Sequence, residues 1–142
     1  MEGDWLGQGD QTYLISGRRQ ALTIQVHSFV EGDHLVSQSH VEVTPEGGIP
    51  SSSDRTIWFK ADVERPGRYF VGTGLEPDPA VTAEADFDGA TLSFEQKIGG
   101  TPPYFTRSAT VFTDAQSVYT ETGWHGQVQL SKASINYVRV QK

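Results

Sequence analysis

Residues 21–44 read ALTIQVHSFVEGDHLVSQSHVEVT. Leu22, Ile24 and Val26 share one parity and Thr23, Gln25 and His27 the other, the period-two pattern of a half-buried strand. Gly32-Asp33, with Gly first, suits a type II′ hairpin turn. A two-residue loop there sets Glu31 opposite His34, hence Val26 opposite Ser39, Ile24 opposite Val41 and Leu22 opposite Val43. Apolar meets apolar on one face, so the register agrees with the pattern.

The same alternation extends both ways. A first strand runs from Trp5 to Ile15 and turns at Ser16-Gly17-Arg18-Arg19. After Thr44, residues 45–53 form a Pro/Gly/Ser loop. Further strands are expected over Arg55–Glu64, Arg68–Gly74, Val81–Phe87 and on to Ile98. Asp88-Gly89 reads as a type I′ turn pairing Ala85 with Leu92 and Ala83 with Phe94. The eighth strand carries Phe105, Arg107, Ala109 and Val111 in phase, and the ninth Val118, Thr120 and Thr122. Gly123-Trp124-His125-Gly126 reads as the last loop, before a strand from Gln127 to Gln141. No amphipathic helix and no crossover of a dozen residues is present, which excludes parallel pairing. The pattern predicts an all-β fold: one closed antiparallel up-and-down β-barrel of about ten strands. Residues 1–142 make a single domain.

The net charge is −7 with no Lys/Arg cluster, which argues against nucleic acid as a partner. There is no cysteine, so disulfides and thiolate chemistry are excluded. No apolar run reaches membrane-spanning length, and no signal peptide stands at Met1. The default compartment is the cytoplasm; a leader removed ahead of the first strand would make it periplasmic or secreted. No metal or cofactor is expected.

Gly3-Asp4-Trp5 at the entry of the first strand and Arg139 on the last, within this meander, resemble the calycin superfamily of lipocalins and fatty-acid-binding proteins. Trp5-Leu6-Gly7-Gln8-Gly9 looks most like small bacterial lipocalin-like proteins. The resemblance implies a lipocalin-like barrel, closed at its base by Trp5 with Arg139 stacked over it. It also implies an interior ligand. Residues 16–20 leave no room for the two helices that fatty-acid-binding proteins carry there.

By phase, the inward candidates for ligand binding are Leu22, Ile24, Val26, Ser39, Phe59, Phe94, Gln96, Phe105, Arg107, Val111 and Thr120. Tyr69 joins them, although parity leaves the facing of its strand open. Arg107, in phase with apolar neighbours, would need a partner: a ligand carboxylate, an internal acid or water at the barrel mouth. Tyr137 and Arg139 share a face and could clasp a carboxylate, unless Arg139 only packs over Trp5. His27 and His40 are diagonal outer neighbours without a third metal ligand. Trp58 reads as outward, either a lone aromatic or a homodimer patch. Trp124 either gates the mouth or pins its loop.

No hydrolase, metalloprotease, phosphate-loop or dinucleotide motif is present. The reading is a barrel that binds or carries a small apolar or amphiphilic molecule, with a carboxylate as one option for its head. The alternatives are a barrel-pocket isomerase or cyclase, and a structural or interaction protein whose barrel is filled by its own aromatics.

Overall fold

The computed structural model of the chain describes residues 2–78 and 83–140. Ten strands follow in order: β1 (Gly3–Tyr13), β2 (Arg19–Glu31), β3 (His34–Pro45), β4 (Ser51–Ala61), β5 (Arg68–Thr73), β6 (Ala83–Phe87), β7 (Thr91–Gly99), β8 (Tyr104–Phe112), β9 (Gln116–His125) and β10 (Val128–Arg139). Each pairs antiparallel with its chain neighbours, and β1 pairs with β10, so the sheet closes into a barrel. Closure removes the unpaired edges that a flat meander would leave. Among the described residues no helix is long and apolar enough to cross a membrane. Val81, assigned to the sixth strand from sequence, lies outside the described residues.

The β2–β3 hairpin has the expected register, with Glu31 opposite His34, Ile24 opposite Val41 and Leu22 opposite Val43. Gly32 has φ 61° while no described non-glycine residue has positive φ, as a type II′ turn requires. The Asp88-Gly89 hairpin differs: Phe87 faces Leu92 and Ala85 faces Phe94. The Asp88 carboxylate accepts the N–H groups of Ala90 (3.0 Å) and Thr91 (2.8 Å), which widens the turn. The register moves by two residues, so every side chain keeps its face.

Directly opposed residues share a face, so one face can be traced around the closed sheet. From Trp5 it passes through Val26, Ser39 and Arg55. From Gly9 it passes through Ile135, Tyr119, Thr110, Leu92 and Phe87. It carries the core cluster of Val71, Ala85 and Leu92, and so is the interior. Eight expected inward residues lie on it: Leu22, Ile24, Val26, Ser39, Phe59, Tyr69, Phe94 and Gln96.

Four do not. Phe105, Arg107, Val111 and Thr120 point outward, because Phe94 faces Ser108 and Ser108 faces Glu121. Val111 is 47% exposed. The inward set of β8 is Thr106, Ser108, Thr110 and Phe112. This wall is mostly hydroxylated inside, so placing apolar residues inward inverts it.

Trp58 stands on the outer parity, opposite Val36 and Gly72, yet is only 1% exposed. A Cβ on Gly72 would collide with its indole. His34 Nε2 lies 3.0 Å from the Leu75 carbonyl and Gly74 N–H donates to the Thr56 carbonyl at 3.0 Å. The chain after β5 therefore returns along the outer face of β3 and β4. Trp58 is no exposed dimer patch.

Candidate functional site in the barrel interior

The interior has a distinct floor and mouth. At the end where β1 begins and β10 finishes, the Arg139 guanidinium lies 5.7 Å from the Trp5 ring centroid and Nη2 donates to the Glu2 carbonyl at 2.8 Å. The guanidinium covers the ring while keeping its charge near water. Arg139 thus packs over Trp5 where β1 and β10 meet. Beside it Phe87 makes edge contacts with Tyr69 (6.4 Å, 73°) and Phe112 (6.3 Å, 83°). These rings fill the floor with apolar surface.

Above the floor the two walls differ. β2 and β3 present Leu22, Ile24, Val26, Val41 and Val43. β8 and β9 present Thr106, Ser108, Thr110, Ser117, Tyr119 and Glu121. The opposite mouth carries Gln11, Gln20 and Gln96, with Gln20 Nε2 donating to Gln11 Oε1 at 2.5 Å. Of the eight inward candidates only Ile24 is buried; the rest are half-buried although they face inside a closed sheet.

Sequence phase missed the ionisable groups of inward parity. Tyr119 Oη donates to Glu121 Oε1 at 2.9 Å. Burial and the Glu121 charge push the Tyr119 phenol up. Burial likewise pushes Tyr137 up to about 12, with the Arg55 cation lowering it and Glu121 raising it. Arg55 has the inward parity, opposite Ser39, but is exposed, on a stretch of β4 that β5 does not flank, since β4–β5 pairing starts at Ile57. Its signal was visible only through the β2–β3 register carried one strand further.

The outward groups form other arrangements. Arg107 Nε donates to Glu95 at 2.9 Å, and the guanidinium lies 5.1 Å from Phe105 and 5.6 Å from Trp124. Trp124 is in β9, not a loop; it stacks on Phe105 (6.2 Å, 6°) and donates to Thr122 Oγ1 at 2.9 Å. His27 and His40 each take an acid partner, Asp4 at 2.6 Å and Asp54 at 2.7 Å. Among the described residues no cluster of three His, Cys, Asp or Glu could hold a metal ion. A charged groove across β5 to β8 is internally neutralised by Arg68–Asp86 (2.9 Å), Arg68–Glu84 (3.4 Å) and Arg107–Glu95 (2.9 Å).

No family model matches the sequence, and no curated protein matches it. Among solved structures, the S-type phycobiliprotein lyase CPES from Guillardia theta is similar, with a TM-score of 0.65 at 13% identity. The similarity covers 99% of this chain and 89% of that one. At that identity the likeness is one of fold, and the closed antiparallel barrel fits the calycin-like architecture expected from Gly3-Asp4-Trp5 and Arg139.

Proposed function

We propose that the barrel binds a small amphiphilic molecule, with its apolar part toward the aromatic floor and its polar head among the hydroxyls of β8 and β9. The observation that carries this reading is the half-buried state of seven inward side chains, Leu22, Val26, Ser39, Phe59, Tyr69, Phe94 and Gln96, which leaves their surface for another molecule to cover. Leu22, Ile24, Val26, Phe59, Tyr69 and Phe94 would supply apolar contact, worth about 25 cal/mol per Å² covered. Ser39 and Gln96 would face the polar part. The test is uptake of a neutral environment-sensitive dye, with native mass spectrometry of gently purified protein. Saturable dye uptake, or a discrete extra mass lost on denaturation, supports the reading. A barrel that excludes the dye and carries no extra mass is filled by its own side chains, and the reading fails.

A second reading is chemistry on the enclosed molecule. The inward Tyr119–Glu121 pair favours it, being a proton donor and acceptor in contact, and the similar barrel of known structure is a lyase. Turnover abolished by Glu121→Gln with dye uptake retained would support it; an unchanged rate would remove it.

A further inference from the structure

We propose that the interior selects an amphiphile with an amphoteric head: an anionic group held by Arg55 and an N–H or ammonium donor held by Glu121. This rests on the interior being the binding site, and adds the class of ligand.

The placement of the two charges carries it. β4 and β9 lie diametrically opposed, with four strands between them either way round the closed sheet. Arg55 and Glu121 both face inward from those strands. Among the described residues Arg55 has no ion pair, whereas Arg19, Arg65, Arg68 and Arg107 each pair with a carboxylate. Glu121 accepts from the Tyr119 hydroxyl at 2.9 Å and has no cationic partner among the described residues. A carboxylate accepts several hydrogen bonds, so this one bond leaves acceptor capacity toward the lumen.

Both charges share the inward face with one phenol, Tyr137. Tyr137, on β10, feels Arg55 as a lowering influence and Glu121 as a raising one. A purely anionic head would satisfy Arg55 but meet the half-buried Glu121 as a like charge. A purely cationic head would do the reverse. A head bearing both groups satisfies each wall by a charge-assisted hydrogen bond. The hydroxyls of Ser39, Ser108 and Tyr137 lie on the same inward face.

The experiment displaces a bound neutral dye with four single-chain probes of equal tail: dodecanol, dodecanoate, dodecylamine and N-dodecylglycine. N-dodecylglycine is expected to bind about tenfold or more tighter than either singly charged probe, as one added charge-assisted contact implies. Arg55→Gln should reduce its affinity to that of dodecylamine, and Glu121→Gln to that of dodecanoate. Arg55→Lys should retain most of the affinity, because the positive charge stays. Each variant's fold is checked by retained dye uptake. If the dye binds but N-dodecylglycine competes no better than dodecanoate or dodecanol, the amphoteric class is overturned while interior binding stands. Should the variants bind all four probes as the parent chain does, the roles of Arg55 and Glu121 are overturned. If the dye does not enter at all, interior binding itself falls, and this inference with it.

Discussion

The Tyr137 ring fills the space that a side chain at position 7 would need. The two residues are directly opposed across β1 and β10, and a Cβ on Gly7 would fall 2.5 Å from Tyr137 Cε1 and 3.0 Å from Ile135 Cγ2. The glycine at the inward position after Trp5 thus makes room for a phenol inside the barrel. Gly7→Ala is expected to destabilise the protein by about 1–3 kcal/mol through overpacking. Combining it with Tyr137→Ala should recover part of that loss. Urea unfolding of the four chains of this cycle measures the coupling; strictly additive losses would show that the ring does not sit against Gly7.

Much of the barrel is legible in the sequence where one strand face is apolar and the other polar. The β2–β3 register followed from Leu22, Ile24 and Val26 meeting Val43, Val41 and Ser39. Trp5 and Arg139 were placed together by a resemblance, and they do meet at the floor. On β8 and β9 the hydrophobic alternation runs the other way for a physical reason. There the inward residues are Thr106, Ser108, Thr110 and Glu121, while Phe105 and Val111 are outside. A lumen with a polar wall reverses the hydrophobic pattern. Only pairing carried from strand to strand reveals it. Trp58 is buried for a different cause: its parity is outward as expected, but the chain returning after β5 runs over that face.

The outward placement of Arg107 has a direct test. Arg107→Ala should leave interior binding of dye and of N-dodecylglycine unchanged. It removes an exposed pair with Glu95 and contacts with two rings, so the stability loss should stay within about 1 kcal/mol. Displacement titrations and urea unfolding check both statements. A selective loss of anionic probes in this variant would return Arg107 to the lumen.

Stability should decline on both sides of a middle pH range, and different residues set the two limbs. The Arg65 guanidinium beside Glu84, and again beside Asp62, holds both carboxyls below their usual range; His34 and Lys60 do the same for Asp33. Their contribution is present above the unfolded pKa values and is lost as pH falls through the lower folded ones. His40 is the opposite case: Asp54 raises it above 6.5. Its contribution is complete below that value and is lost as pH rises through the folded pKa. His40→Gln should therefore flatten the fall in stability as pH rises above about 6.5 without changing the acid limb. An NMR titration of His40 should give a midpoint above 6.5; a midpoint at or below it would contradict the Asp54 pairing.

The alkaline limb belongs to the interior tyrosines. Tyr137 titrates in the folded chain at about 12, against 10.0 when free, and Tyr119 is raised as well. Above about pH 10 the unfolded chain loses these phenolic protons while the folded chain keeps them, so stability falls until the folded pKa is passed. For Tyr137 the loss amounts to about 2–3 kcal/mol between pH 10 and 12, from the two-unit displacement. Tyr137→Phe should flatten that part of the profile, and Arg55→Gln should raise the Tyr137 midpoint by withdrawing a nearby cation. Ultraviolet titration of tyrosine ionisation, beside urea unfolding at each pH, reads both effects. An unchanged midpoint in Arg55→Gln would mean that the guanidinium does not reach the lumen, and the anion-holding role assigned to it would be lost.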